Sequence, residues 1–487
     1  MATTASEASP LLGGPSNSEL EAQKTRRVTP LPKLQLAALC MSRLSDPVAF
    51  TQVFPYINEF LASLHVADDD PSRIGLYSGI VESSYAIVQL CSIFQWVKLS
   101  NIVGRRPVII CGPIGLALTT LCFGLSKTYV QILVSRCLGG IFSGNAAVVL
   151  SALGEVTDST NQALAFPIFG LCWPLGGIIG PLIGGALAKP ADRFPKFLDI
   201  PFMRQYPYFL PCLVTSLIAF VAYMTAYFFL HETSPRERAK IQHDEYGTSD
   251  EYRAIKPEQD RILSMRELLA IPIIRTLCIS GFALCFSATA FDVVFALFCY
   301  TPIRSGGLGL DTSQIGYSLA AAGVISSFIQ IVFLPSLLNI FNNAKLYSFC
   351  MALWPFAFAV LPFLNSIAVI GMDPSTGTIN PYAFAPLWVG IAVALSIARF
   401  SCIAFSVNMI LIKNNVPNPS SLGATNGLVH LSMCLSRAFA PAIVSAAFSW
   451  SLERNTLGGH MWVLLMVLIS IIGYTISKKI IYYSLIQ

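Results

Sequence analysis

Residues 136–145 read RCLGGIFSGN, and residues 399–408 read RFSCIAFSVN, with Arg, Phe, Ser and Asn in the same four slots. Each stretch lies inside a long apolar block, where an arginine costs about 2.5–3.5 kcal/mol on insertion scales. A second echo links IGLYSGIVESSYAIVQ (74–89) with IGYSLAAAGVISSFIQ (315–330), allowing one gap. Both begin Ile-Gly and end in Gln. Two echoes at matching places in the two halves of one chain point to an internal duplication.

The apolar blocks bear this out in number. They fall at 34–64, 75–98, 107–126, 129–153, 163–188 and 208–230, and resume at 271–300, 314–341, 345–371, 383–413, 423–450 and 461–477. A membrane-crossing helix needs about 20 residues, and every block suffices. The expected fold is therefore an all-α membrane protein of twelve transmembrane helices in two pseudo-symmetric six-helix halves. Residues 1–33 read as a disordered cytosolic tail, 34–230 as the first half, 231–270 as a cytosolic linker and 271–487 as the second half. Within the tail, EASPLL (7–12) fits an acidic dileucine sorting signal.

Composition agrees. Charged residues make up 12% of the 487, about half the share in soluble domains, against 54% apolar. The formal charge of +5 is too small to suggest a nucleic-acid partner. The 13 cysteines are scattered, without a Cys-x-x-Cys pair or a cluster with His, so no metal site or cofactor is indicated. No nucleophile or metal constellation of an enzyme is visible. Lys24, Arg26, Arg27 and Lys33 before the first span, with Lys98, Arg105, Arg106, Lys413, Lys478 and Lys479 on the same side, place both termini in the cytosol. The 189–207 loop conflicts with this, since its Lys189, Arg193, Lys196 and Arg204 fall outside. The plasma membrane and the vacuolar membrane both remain open.

Ionisable residues inside spans are the functional candidates. They are Asp46, Glu82, Arg136, Asp292 and Arg399, with Arg275, His430 and Arg437 as weaker ones. Arg136 has either Asp46 or Glu82 as a structural partner. At about 100° per residue, Ser143 shares the Arg136 face, as does Gly140, whereas Asn145 points away. Arg136 and Ser143 are thus expected on a central cavity, and Asn145 against a packed neighbour. Phe50, Tyr85, Phe291 and Phe295 lie near the acids, where rings stack on cations or simply pack. Gly176, Gly180 and Gly184 recur every fourth residue, a flat face for close packing, and Pro181 bends the helix.

Three motifs identify the resemblance. WVKLSNIVGRRPVI (96–109) resembles the major facilitator superfamily signature G-x-L-a-D-r-x-G-r-[KR]: Leu99, Gly104, Arg105 and Arg106 match, while Val97, Asn101 and Ile102 replace Gly, Asp and Arg. GGIIGPLIGG (176–185, ending in Gly185) resembles the antiporter motif of the drug:proton branch, and Arg136 with Gly140 matches its R-x-x-x-G. The likeness covers the chain past residue 33. It implies a secondary active transporter, a monomer in the lipid bilayer, that exports a small organic molecule (a drug, toxin or secondary metabolite) in exchange for protons; an amphipathic or cationic cargo is expected. For Arg136 it implies proton coupling; from their places inside the spans, Asp46, Glu82 and Asp292 are expected to couple with it, and Phe50, Tyr85, Ser143, Phe291 and Arg399 to line a substrate cavity. The gate comprises Leu99, Asn101, Gly104, Arg105 and Arg106, with Glu155 a candidate to supply the charge that Asn101 lacks. The glycine-rich helix is implied to be the hinge against the other half. Proton-coupled uptake of a nutrient by the same fold is the alternative.

Overall fold

The structure, a computed structural model, describes residues 32–66, 71–157, 161–233, 264–372, 380–417 and 421–486. The dileucine stretch, nearly all of the tail and most of the linker lie outside the described residues. Among the described residues the chain is helical, with the twelve spans in the expected order. Eleven are long and apolar enough to cross a membrane by length and composition. Span 1 is made of two helices instead, Lys33–Thr51 and Ile57–Ser63, joined by a turn.

Spans 2 and 3 are Pro71–Val103 and Arg105–Gly124; span 4 is Tyr129–Ser143 continued by Ala146–Val156. Span 5 is Gln162–Gly170 continued by Cys172–Leu187, and span 6 is Phe209–Phe229. In the second half, span 7 is Pro272–Tyr300 and span 8 is Thr312–Phe328 with a π-helical turn at Ile329–Phe333. That turn precedes Pro335, whose missing N–H and bulky ring disrupt a regular ladder. Span 9 is Asn343–Ala359 with Leu361–Ile370, span 10 Pro381–Ser401 with Ile403–Asn415, span 11 Leu422–Glu453 and span 12 Met461–Ile486.

The halves meet along two pseudo-symmetric seams, span 2 on span 11 and span 5 on span 8. Small residues permit this approach. A Cβ on Gly185 would lie 2.7 Å from the Gly316 Cα, and one on Gly79 2.5 Å from the Ser445 Cβ. The glycine-rich face of span 5 is used differently from the expectation of a hinge. Cβ atoms on Gly176, Gly180 and Gly184 would strike Pro47, Thr51 and Gln52, so that face seats span 5 on span 1 of its own half. Gly185, one position round, makes the approach to the other half.

Among the described residues, hydrogen bonds between the halves run from one end of the bundle only to its middle. They join Arg73 to Glu453 (3.3 Å), the Leu76 N–H to Ser449 Oγ (3.0 Å), Thr312 to Glu59, and the Ala442 N–H to Ser83 Oγ (3.0 Å). At the opposite end, Cβ atoms on Gly170 of span 5 and Gly427 of span 11 would meet open space. Among the described residues the bundle is sealed at one end by these ties, and parted at the other in the sense that none of them reaches it.

The 189–207 loop lies at the sealed end, and three of its four cations, all but the exposed Lys196, are engaged locally. Lys189 pairs with Glu59, Arg193 Nη1 donates to the Gly185 and Ala186 carbonyls, and Arg204 forms a two-pronged pair with Asp199 (2.5 and 2.8 Å). The hydrogen bond from Arg204 holds the Asp199 carboxyl below its ordinary range. Lys189 and Arg204 thus carry matching acids and weigh less in a count of free Lys and Arg, whereas Lys196 still counts.

Candidate functional site

Span 4 starts cleanly because Thr128 caps it, its Oγ1 accepting from the Gln131 N–H. From there the helix carries Arg136 into the bundle interior against span 2. Arg136 Nη2 donates to Glu82 Oε2 at 2.6 Å, with the two residues 4% and 1% exposed. The sequence left two acids as partners, and the structure selects Glu82. The guanidinium also sits 4.6 Å from the Tyr85 ring centroid and 5.8 Å from that of Phe50, so an aromatic wall covers it. Glu82 Oε1 and Arg136 Nε are buried without a hydrogen-bond partner among the described residues.

Asp46 occupies a separate nest beside this pair. Its Oδ1 accepts from Tyr85 Oη at 2.9 Å and from Ser143 Oγ, and Gln89 Nε2 donates to Ser143 at 2.5 Å. Arg43, one turn earlier on span 1, approaches Asp46 Oδ2 at 3.6 Å. Tyr85 thus touches both acid sites, as ring to Arg136 and as hydroxyl to Asp46. Asp46, Phe50, Glu82, Tyr85, Arg136 and Ser143 form one contiguous group. Arg43 and Gln89 belong to it also; the three-residue spacing of Arg43 and Asp46 was a usable signal for the first.

The second half carries its own pair, Arg399 with Asp292, in which the Asp292 side chain remains 28% exposed. Phe291 is placed differently from the expected cavity wall. It is 1% exposed and packs with Phe295 (6.0 Å), Trp354 (6.2 Å) and Phe358 (5.6 Å) inside the second half. The outward-pointing asparagine of the repeat bonds a neighbouring helix in both copies: Asn145 Nδ2 to the Ile109 carbonyl (3.2 Å), and Asn408 Nδ2 to Tyr347 Oη (3.4 Å). Arg275 and His430 are exposed, whereas Arg437 reaches inward over the Trp173 ring at 5.2 Å.

The 96–106 signature lies at the parted end. Arg105 Nε donates to Glu155 Oε1 at 3.1 Å, and its Nη1 to Ser100 Oγ. Asn101 and Leu99 are exposed, so Ser100 holds the inward place beside Arg105. Glu232 completes the knot: its carboxylate accepts from the Arg105 and Arg106 N–H groups (2.9 and 3.1 Å), capping span 3. Arg106 Nη2 donates to the Tyr227 carbonyl. Ser100 and Glu232 were not among the sequence candidates. Among the described residues no three His, Cys, Asp or Glu side chains converge as a metal site.

A model of the Major Facilitator Superfamily matches residues 48–441. The chain belongs to the major facilitator superfamily. It is 39% identical to the major facilitator-type transporter psiT2 of Psilocybe cyanescens, over 96% of this chain and 93% of that one. It is 28% identical to the multidrug transporter mfsB of Aspergillus fumigatus, over 87% and 80% respectively. Among solved structures, a bacterial homolog of the human lysosomal transporter Spinster, inward-facing and unoccupied, superposes with a TM-score of 0.65 over 93% of this chain and 98% of that one. At 12% identity this is a likeness of fold alone. As a major facilitator protein the chain is a membrane transporter of small molecules and not an enzyme.

Proposed function

We propose that this transporter exports a small organic molecule from the cytosol in exchange for protons, by rocking 34–230 against 271–487 about a central site. On this reading 231–270 is the cytosolic connection, both termini are cytosolic, the parted end faces the cytosol, and the protein works as a monomer in the plasma or vacuolar membrane. The observation that carries it is the buried Glu82–Arg136 pair, with one carboxylate oxygen and one guanidinium nitrogen unpartnered among the described residues. Protonating Glu82 removes the charge that holds Arg136 and frees the guanidinium, already against the Tyr85 and Phe50 rings, to leave the pair. A proton shifts the inward–outward equilibrium only through such a difference in affinity between the two states. Asp46, tied to Tyr85, and Asp292, paired with Arg399, are the further coupling acids.

The test starts from a growth screen of a strain lacking the protein against amphipathic toxins, which supplies a cargo. That cargo is then followed in proteoliposomes under an imposed pH gradient. Accumulation opposite to the proton flow supports export; accumulation with inward co-flow establishes proton-coupled uptake instead. Glu82→Gln and Asp292→Asn should each abolish gradient-driven accumulation, and unchanged flux in both removes these acids from the coupling role.

A further inference from the structure

Arg437 is a half-buried cation with no matching acid among the described residues. In the first half, Asp46 and Glu82 balance Arg43 and Arg136. In the second, Asp292 is taken by Arg399. Arg437, near the middle of span 11, has the Cys434 Sγ at 3.1 Å and the Trp173 ring at 5.2 Å, and among the described residues no carboxylate lies within ion-pair reach. Arg43 lies over the same Trp173 ring at 5.5 Å and meets Asp46 only at 3.6 Å. One indole is therefore flanked by two guanidinium groups, one from each half, with the Phe50 ring 6.4 Å away.

We infer that the cargo carries an anionic group, a carboxylate or phosphate, that binds between Arg43 and Arg437 while its apolar or aromatic body stacks on Trp173 and Phe50. This rests on the reading that the central site takes a small organic cargo. The physical reason is charge. A desolvated guanidinium without a counter-charge is unfavourable, and its planar donors match a carboxylate or phosphate edge. The two arginines also repel across the parted seam between the halves. An anion between them replaces repulsion with attraction on both sides and draws span 11 toward spans 1 and 5, so it binds the closed arrangement better than the open one.

The experiment is equilibrium binding by calorimetry to the full chain in nanodiscs, without a pH gradient. The probes are indole-3-acetate and phenyl phosphate as anions, and tryptamine as the cationic counterpart of the first. At least one anion should bind, with tryptamine at least about tenfold weaker. Arg437→Gln should weaken the anion about tenfold to a hundredfold, the loss of a charge-assisted bond. Arg437→Lys should retain part of the affinity, and Trp173→Ala should lose the discrimination for aromatic anions. Arg43→Gln gives an independent second variant should Arg437→Gln fail to fold. Cys434→Ser should leave binding unchanged; if it strengthens anion binding about tenfold or more, a thiolate rather than the cargo matches Arg437 in the native chain, and the inference fails. It fails equally if neither anion binds, if tryptamine binds better, or if neither arginine variant weakens the anion. A chain that pumps a cationic cargo against protons would keep the proposed function and overturn this inference. One that binds anions without proton exchange would do the reverse.

Discussion

Glu82 and Arg136 neutralise each other where water cannot, so losing one partner strands the other. Glu82→Gln should lower stability by about 3–5 kcal/mol, read as a fall in the thermal midpoint of the purified protein. Replacing both partners, Glu82→Leu with Arg136→Met, should recover most of that stability, because a buried pair contributes little beyond a well-packed apolar substitute. Gradient-driven transport should stay lost in the double variant. Recovery of transport together with stability would make the pair structural only. Gly104 offers a second residue-scale test: its φ is +103°, and a Cβ would lie 2.5 Å from Glu232 Oε2. Gly104→Ala should cost at least about 1–2 kcal/mol, measured in the same melt. At this scale the charged residues were easy to pick out, since each stands alone in an apolar block. Their pairings were not. Arg136 had two acids in reach of a guess, and Trp173 carried no signal, because its place between Arg43 and Arg437 arises when three spans from two halves assemble.

At the scale of helices, the repeats visible in the sequence have separate jobs. The Ile-Gly that opens both the 74–89 and 315–330 stretches lies on the seams: a Cβ on Gly75 would lie 2.8 Å from Ser449 Oγ, and one on Gly316 2.6 Å from the Gly185 Cα. The Arg…Asn repeat of spans 4 and 10 instead braces each half internally, Asn145 on span 3 and Asn408 on span 9. The copies diverge at their arginines, which choose an acid on span 2 in one half and on span 7 in the other. Periodicity showed which residues share a helix face, but not which neighbour that face meets; hence the flat glycine face of span 5 was legible and its seat on span 1 was not. Gly316→Leu should force spans 5 and 8 apart at the sealed end without touching either charge pair. The expected outcome is at least a tenfold loss of transport in a protein that still elutes as the wild type does. A cysteine introduced at Thr312 should at the same time react faster with a membrane-impermeant thiol reagent. Unchanged transport would mean that this close approach is dispensable for rocking.

For the whole molecule, the question is what holds one end shut. The seal combines glycine-lined seams with a few polar ties, of which Arg73–Glu453 is largely exposed and worth about 0.2–1 kcal/mol at most. Glu59 is better placed, because it receives Lys189 from its own half and Thr312 from the other. Lys189 orients the carboxylate, and the Thr312 hydroxyl then joins the halves. Thr312→Val keeps the shape and removes that one bond, a loss of about 1 kcal/mol. If the bond exists only in the state sealed at this end, the balance between the two states should move about fivefold toward its opposite. Spin labels at Gly170 and Gly427, which face open space at the parted end, report this directly, since their separation shortens when that end closes. Thr312→Val should enlarge the short-distance population in a pulsed dipolar measurement, and Arg73→Gln should change it less. Equal populations in wild type and Thr312→Val would assign the seal to the glycine seams alone, with the polar ties following the motion rather than biasing it.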